Sequence, residues 1–164
     1  MTTIVWFRED LRLTDNPALS AAAERGALLP VYIQTEDGTR SLGGATRWWL
    51  HHSLQALRAD LGYLSLHRGD PSSILVSLAR QTGATAIHWN RRYAPEAIAQ
   101  DTAVKKQLAE VGLEVRSFNG ALLNEPWEIA TGSGSPYKVF TPYWKAARNR
   151  PVSDPLLAPT ITLL

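Results

Sequence analysis

The chain of 164 residues contains no cysteine and only one methionine. The absence of cysteine excludes disulfide bonds and metal sites built on thiolates. The chain also lacks an apolar run long enough to cross a bilayer, and Met1 does not open a secretory signal peptide. We therefore expect a soluble, cytoplasmic protein.

Charge and composition give a second set of limits. The formal net charge is only +2 and the isoelectric point is about 9.1, which permits an anionic partner without requiring one. A hydrophobic content of 45% is enough for one core of ordinary size, with residues left over for a tail. The four histidines show no metal-ligand spacing with carboxylates, so we expect no metal site; they are His51, His52, His67 and His88.

The most informative segment is Ile4-Val-Trp-Phe-Arg-Glu-Asp-Leu-Arg-Leu-Thr-Asp-Asn-Pro-Ala-Leu19. Its apolar start is typical of a strand buried in a parallel sheet, and Asn16-Pro17 is typical of a helix N-cap followed by the first helical residue. The polar turn between them lies at the carboxyl edge of such a sheet, where ligands and partner domains dock. Arg8 and Asp10 in this turn form either a structural ion pair or part of a ligand site.

Apolar strand patterns and helical patterns alternate along the chain. Strands are predicted at about 3–8, 28–34, 63–67, 85–89 and 113–117, and helices at about 16–25, 46–61, 71–82 and 95–111. Glycines stand where each helix is expected to end, at Gly26, Gly62, Gly83 and Gly112. The order predicts an α/β fold: a doubly wound, five-stranded parallel sheet with helices on both faces, Rossmann-like, in three α/β/α layers.

The pattern changes after about residue 118. Thr131-Gly-Ser-Gly-Ser-Pro136 reads as a flexible turn, and the region from Pro151 onward contains three prolines with little periodicity. The glycine-serine turn at 131–136 lacks the Lys-Ser/Thr ending of a phosphate-binding loop. We therefore divide the chain into an α/β domain at 1–130 and an interdomain linker at 131–164, leading to a domain that the sequence does not contain.

Four segments, in this order, resemble the DNA photolyase and cryptochrome family. They are Trp6 to Leu19; Gly69-Asp70-Pro71 with Ile74 and Leu75; Trp89-Asn-Arg-Arg-Tyr-Ala-Pro95 with Asp101; and Gly132 to Ala146. Together they cover essentially residues 1–150. The resemblance implies the amino-terminal α/β domain, which in many members holds an antenna pigment that passes excitation energy to FAD in a helical carboxyl-terminal domain.

The resemblance further implies a deoxyribodipyrimidine photolyase, a carbon-carbon lyase that repairs cyclobutane pyrimidine dimers in DNA with light. The alternative is a cryptochrome-type blue-light photoreceptor without repair activity, because the residues that separate the two lie in the helical domain. A third class, a free-standing nucleotide-binding protein, would leave the run at 132–146 unexplained. This portion carries no catalytic residue of the family, so we expect it to be inactive by itself.

The antenna pigment of the family is methenyltetrahydrofolate or 8-hydroxy-5-deazaflavin, and neither is favoured here because Arg47 and Glu96 lie about one residue from the family's register. A flat pigment needs an aromatic face, from Trp48 or Tyr93, and an acceptor for its N–H groups, from Glu96 or Glu36. Trp48 and Trp49 diverge by about 100°, so one of them is expected to face the core. The candidate antenna residues are Gln34, Glu36, Arg47, Trp48, Asn90, Arg91, Tyr93 and Glu96.

Candidate contacts with the helical FAD domain are Arg8, Asp10, Tyr137 and Lys138. A basic group interleaved with aromatics follows, and it either docks on that domain or contacts phosphates. We expect damaged DNA to be the substrate of the full-length protein, no membrane partner, and a monomer.

Overall fold

The computed structural model describes residues 1–35 and 42–164. Within these ranges the strands are β1 (Thr3–Phe7), β2 (Leu28–Gln34), β3 (Ser65–Arg68), β4 (Ala86–Asn90) and β5 (Glu114–Phe118). The helices are α1 (Pro17–Ala23), α2 (Gly44–Leu61), α3 (Pro71–Thr82), α4 (Pro95–Glu110) and α5 (Phe140–Ala147). All five predicted strands and four predicted helices are confirmed.

The strands form one parallel sheet in the order β3-β2-β1-β4-β5. β1 is central, and Val5 lies between Pro30 of β2 and His88 of β4. The chain winds outward in one direction from β1 to β3 and in the other from β4 to β5. The carboxyl edge between β1 and β4 is therefore the switch point at which α/β folds open a crevice.

Helices cover both faces of the sheet, as predicted. Alternate residues of β1 enter two different cores, since Ile4 and Trp6 pack with α3 and α4 whereas Val5 and Phe7 pack with α1 and α2. Successive side chains of a strand point to opposite faces, and the unbroken apolar run of β1 thus serves both layers.

The helix boundaries follow the capping residues seen in the sequence. The side chain of Asn16 accepts a hydrogen bond from the backbone N–H of Leu19 at 3.1 Å, and that of Asp70 accepts one from Ser73 at 2.8 Å. Each satisfies one of the free N–H groups at a helix start. α2 ends at Leu61 and is capped by Gly62, whose φ of 81° is a left-handed conformation that glycine adopts at little cost.

The segment 131–164 has more regular structure than the expected linker. It contains α5, and Leu163 forms a parallel β-bridge with Leu28. α5 was not predicted because its large apolar side chains point to solvent: Phe140 is 70% exposed and Trp144 is 50% exposed. Among the helices of the described ranges, none is both long and apolar enough to span a membrane.

Candidate functional site

The first polar cluster centres on Arg8, which directly follows β1. Its Nη1 donates to Asp101 Oδ1 of α4 at 2.6 Å, and its Nη2 donates to the backbone carbonyl of Asn90. The guanidinium lies 4.4 Å from the ring centroid of Trp6 and 5.6 Å from that of Trp89. Burial lowers the pKa of Arg8, and the carboxylate of Asp101 opposes that shift. The buried side chain of Arg8 thus links the end of β1 to β4 and α4 through hydrogen bonds.

Asn90, the last residue of β4, completes this cluster. Its Nδ2 donates to Asp10 Oδ2 at 2.6 Å and to Asn16 Oδ1 at 2.7 Å, and its Oδ1 accepts from the backbone N–H of Ala18 at 3.2 Å. With 4% of the residue exposed, these bonds use both N–H groups of the side-chain amide and one of the two acceptor sites of its oxygen. Asn90 therefore fixes the turn between β1 and α1.

Arg8, Asp10 and Asn90 lie together at the carboxyl edge, although the sequence indicated Arg8 and Asp10 for the domain interface and Asn90 for the antenna site. Asp10 Oδ1 accepts a hydrogen bond from the backbone N–H of Arg8 at 2.8 Å, while the Arg8 guanidinium binds Asp101 instead. Of the two alternatives for these residues, the side-chain ion pair between Arg8 and Asp10 is wrong, because α4 brings the carboxylate of Asp101 to the guanidinium.

The second polar cluster joins Arg91 and Tyr93 to Glu125. Arg91 makes two bonds to the Glu125 carboxylate, at 2.7 and 2.8 Å, and also donates to the carbonyl of Ser117. The hydroxyl of Tyr93 donates to Glu125 Oε1 at 2.6 Å. Burial and this bond raise the pKa of Tyr93 to about 12. Burial opposes ionisation of Glu125, but the bonds from Arg91 and Tyr93 outweigh it and lower the pKa of that carboxyl.

The third feature is an aromatic platform on α2, which we define as Trp48, Trp49 and His52. Trp48 is 60% exposed and Trp49 is 69% exposed. The ring centroids of Trp48 and His52 lie 4.3 Å apart, and those of the two tryptophans lie 6.0 Å apart. Ala45 and Thr46 complete a shallow groove along the tryptophans.

The expectation that one of these tryptophans faces the core is wrong. The buried residues of α2 are Leu57 and Leu61, one turn apart on a single face. At about 100° per residue, Trp48 projects almost opposite that face and Trp49 projects more than a quarter turn away from it. The two indoles do diverge by about 100°, but both do so on the solvent side.

The remaining candidate residues are dispersed. Gln34 ends β2 half-buried, and its carbonyl accepts the N–H of Gly69 at 3.0 Å. Arg47 is exposed beside the platform, and Glu96 is exposed in the first turn of α4. Glu36 lies outside the described residues. The seven candidates within the described residues thus occupy the end of β2, the start of α2, and the end of β4 with the turn into α4.

The two candidate interface residues beyond β5 lie at the surface. Tyr137 is half-buried against Tyr143, with ring centroids 6.4 Å apart, and Lys138 is exposed. Close by along the chain, the rings of Phe140 and Trp144 on α5 are stacked at 6.2 Å. Residues 137–144 therefore carry an exposed group of aromatic side chains.

Three structural residues of these clusters were not recognised as such from the sequence. Asn16 was recognised only as a helix cap, and Asp101 only as part of a family-like segment. Glu125 carried no signal, because its pairing with Arg91 depends on how the chain returns after β5. In the parts of the chain that the structure describes, no group of histidine, aspartate and glutamate side chains has the arrangement of a metal site.

Comparison with known proteins agrees with this architecture. The model of the DNA photolyase family matches residues 3–160. A deoxyribodipyrimidine photo-lyase of Agrobacterium fabrum is 53% identical over 148 residues, covering 87% of this chain and 31% of the relative. Cryptochrome-2 of Arabidopsis thaliana is 42% identical over 171 residues, covering 99% of this chain and 28% of the relative.

Solved structures give the same result. A bacterial class III photolyase from Agrobacterium tumefaciens superposes with a TM-score of 0.91 at 47% identity, covering 99% of this chain and 35% of that one. An archaeal photolyase from Sulfolobus tokodaii, solved with two FAD molecules, superposes with a TM-score of 0.82 at 25% identity, covering 98% of this chain and 38% of that one. The chain spans about a third of the length of these relatives. It belongs to the DNA photolyase and cryptochrome family.

Proposed function

We propose that this chain is the antenna domain of a light-driven DNA repair enzyme, a deoxyribodipyrimidine photolyase, and that the aromatic platform of α2 holds the antenna pigment. The observation that carries the proposal is the pair of indoles at Trp48 and Trp49, 60% and 69% exposed beside a groove. Large apolar rings grouped in solvent are typical of a binding surface.

The chemistry of the platform suits a flat conjugated ligand. An indole face stacks on a planar ring system, and the adjoining groove adds apolar contact from Ala45. Arg47, one residue earlier on the helix, supplies an exposed positive charge for an acidic part of such a ligand. A folate, a deazaflavin or a second flavin meets these requirements, and the archaeal relative solved with two FAD molecules supports the last of these.

The residues at the end of β4 play a supporting part in this proposal. The polar atoms of Asn90, Arg91 and Tyr93 are engaged with other groups of the chain, so these residues shape the carboxyl edge rather than bind a ligand through free donors. The carboxylate of Glu96 is exposed and is the member of this group best suited to accept N–H groups of a pigment.

The helical FAD domain is the expected partner of this chain. The relatives are about three times as long, and the exposed aromatic rings of Phe140 and Trp144 offer an apolar docking surface next to Tyr137 and Lys138. We propose that residues 1–130 form the antenna domain and that 131–164 lead to the helical domain. FAD would be held by that domain and would supply the light-driven electron transfer to a pyrimidine dimer.

Photolyase is favoured over cryptochrome by similarity, because identity to the Agrobacterium photolyase is 53% against 42% to Cryptochrome-2. A cryptochrome remains the second candidate, since that relative is matched over 99% of this chain.

The test is an absorption spectrum of the full-length protein purified in the dark, followed by illumination with an oligonucleotide containing a thymine dimer. We expect a flavin band, a second pigment band and light-dependent loss of dimers. A flavin band without dimer loss would support the cryptochrome. A protein whose spectrum contains flavin but no second pigment would contradict the antenna role.

A further inference from the structure

The last residues described, 156–164, are attached to the α/β fold at two separate points. At the carboxyl edge, the backbone N–H of Asp15 donates to the carbonyl of Leu156 at 2.7 Å, and the N–H of Leu156 faces Asp15 Oδ1 at 3.4 Å. At the opposite edge, Leu28 donates to the carbonyl of Thr162 at 2.9 Å and accepts from the N–H of Leu164 at 3.2 Å. We call this segment the strap.

The attachment at Leu28 fills a gap in the sheet. On its outer side, β2 pairs with β3 only from Val31 onward, so β3 does not reach the backbone groups of Leu28. The strap supplies the missing partner through its bridge at Leu163. Ile161 and Leu163 also pack against the core that α1 and α2 form with the sheet. Hydrogen bonding and apolar burial therefore hold this end together.

The attachment at Asp15 involves a residue with a strained backbone conformation. Asp15 has a φ of 50° and is the one non-glycine residue with positive φ in the described part of the chain. Its carbonyl accepts from Arg12 Nη2 at 2.7 Å, and the same nitrogen donates to the carbonyl of Gly120 at 2.6 Å. The next residue, Asn16, binds Asn90. The strap thus ends on the turn that organises the first polar cluster.

The middle of the strap makes few contacts of its own, since Leu157 is 88% exposed. Leu156 and Thr162 are six positions apart, and an extended segment of that length reaches about 20 Å, close to the height of the sheet. When one attachment is already released, opening the other frees the whole strap and gains more conformational entropy. Each attachment is therefore more stable while the other is closed.

We propose that the strap opens and closes as one unit, and that it couples the segment following α5 to the β1–α1 turn. A change in the position of that segment would alter the contacts of Asp15 and, through the adjoining Asn16, those of the first polar cluster. This coupling is independent of which pigment or substrate the protein binds.

Native-state hydrogen exchange tests the coupling when the attachment at Leu28 is weakened. Leu164→Pro removes the N–H that binds the carbonyl of Leu28, whereas Leu164→Ala retains it and is the matched control. We expect the amides of Asp15 and Leu156 to exchange about tenfold faster in Leu164→Pro, with little change in the control or at Trp6 in β1. Unchanged exchange at Asp15, or equal acceleration at Trp6, would overturn the proposal.

The reverse experiment starts from the turn, because coupling between two attachments is reciprocal. Asp15→Val places a β-branched residue at positive φ, whereas Asp15→Asn tolerates that conformation and keeps the side-chain acceptor. We expect faster exchange of the Leu28 and Leu164 amides in Asp15→Val only. Unchanged exchange at both amides in Asp15→Val would show that the two attachments open independently and would also overturn the proposal.

Discussion

The guanidinium of Arg8 and the carboxylate of Asp101, 93 positions apart in sequence, form an ion pair of 2.6 Å with 6% and 13% of their side chains exposed. Asp101 also accepts from Arg92 at 2.8 Å, so one carboxylate joins the ends of β1 and β4 to α4. A buried charge is stable only when its partners remain in place. The positions of the ends of β1 and β4 relative to α4 at the carboxyl edge therefore depend on the ion pair between Arg8 and Asp101.

Replacement of Arg8 by alanine is expected to lower the free energy of unfolding by about 3 kcal/mol, because it removes the buried donor of the Asn90 carbonyl and leaves Asp101 with Arg92 alone. Urea denaturation of the 164-residue chain measures the effect. The control is Arg148→Ala at an exposed position, for which a change within about 0.5 kcal/mol is expected. Equal stability of the two variants would show that the pair contributes little.

Gly120 is expected to tolerate no side chain. A Cβ at this position would lie 2.6 Å from Cγ of Asn90, whose own position is fixed by three hydrogen bonds. Gly120→Ala is therefore expected to destabilise the chain by about 2 kcal/mol through overpacking. Gly132→Ala is the matched control because nothing lies within 4 Å of a Cβ there. Thermal denaturation of both variants checks this, and an unaffected Gly120→Ala would contradict the described packing at Asn90.

Stability is expected to fall in acid because of His88. This side chain is completely buried on β4 and lies 5.2 Å, centroid to centroid, from Phe118. Burial lowers its pKa from 6.5 to about 4; the backbone of Ala18 opposes the shift, and the nearby arginines add to it. Between these values the unfolded chain binds more protons than the folded one, so stability is lost as pH falls from about 6.5 toward 4.

The measurement is a series of urea denaturations between pH 7 and pH 4. Each pH unit inside the window removes up to about 1.4 kcal/mol through this one histidine. His88→Leu removes the titrating group and is expected to flatten the pH dependence, whatever its effect on stability at pH 7. A variant with the same slope as the parent chain would assign the acid sensitivity to other groups.

The fold was predictable from the sequence because its elements have local causes. Buried strands such as β1 are short apolar runs, and the caps at Asn16 and Asp70 fix where α1 and α3 begin. Covering helices have a single apolar face, and their alternation with the strands leaves little choice of topology.

The details of the site were less predictable because they depend on tertiary contacts. Nothing near Arg8 in sequence indicates that its partner is Asp101, or that Glu125 would return to bind Arg91. α5 was missed because the apolar pattern that identifies a helix assumes a core to cover, and its Phe140 and Trp144 face outward. The expectation that either Trp48 or Trp49 faces the core was wrong because it rested on the divergence of the two side chains rather than on the buried face of α2.

The most direct test of the account is the ratio of antenna pigment to FAD in the full-length protein after Trp48→Ala. Trp48 is 60% exposed, so its removal should leave the fold intact, whereas loss of a stacking face is expected to weaken pigment binding about tenfold or more. Trp127→Ala, at a tryptophan that is 63% exposed, is the matched control. We expect a reduced ratio in Trp48→Ala and an unchanged ratio in the control. An unchanged ratio in Trp48→Ala would contradict the account.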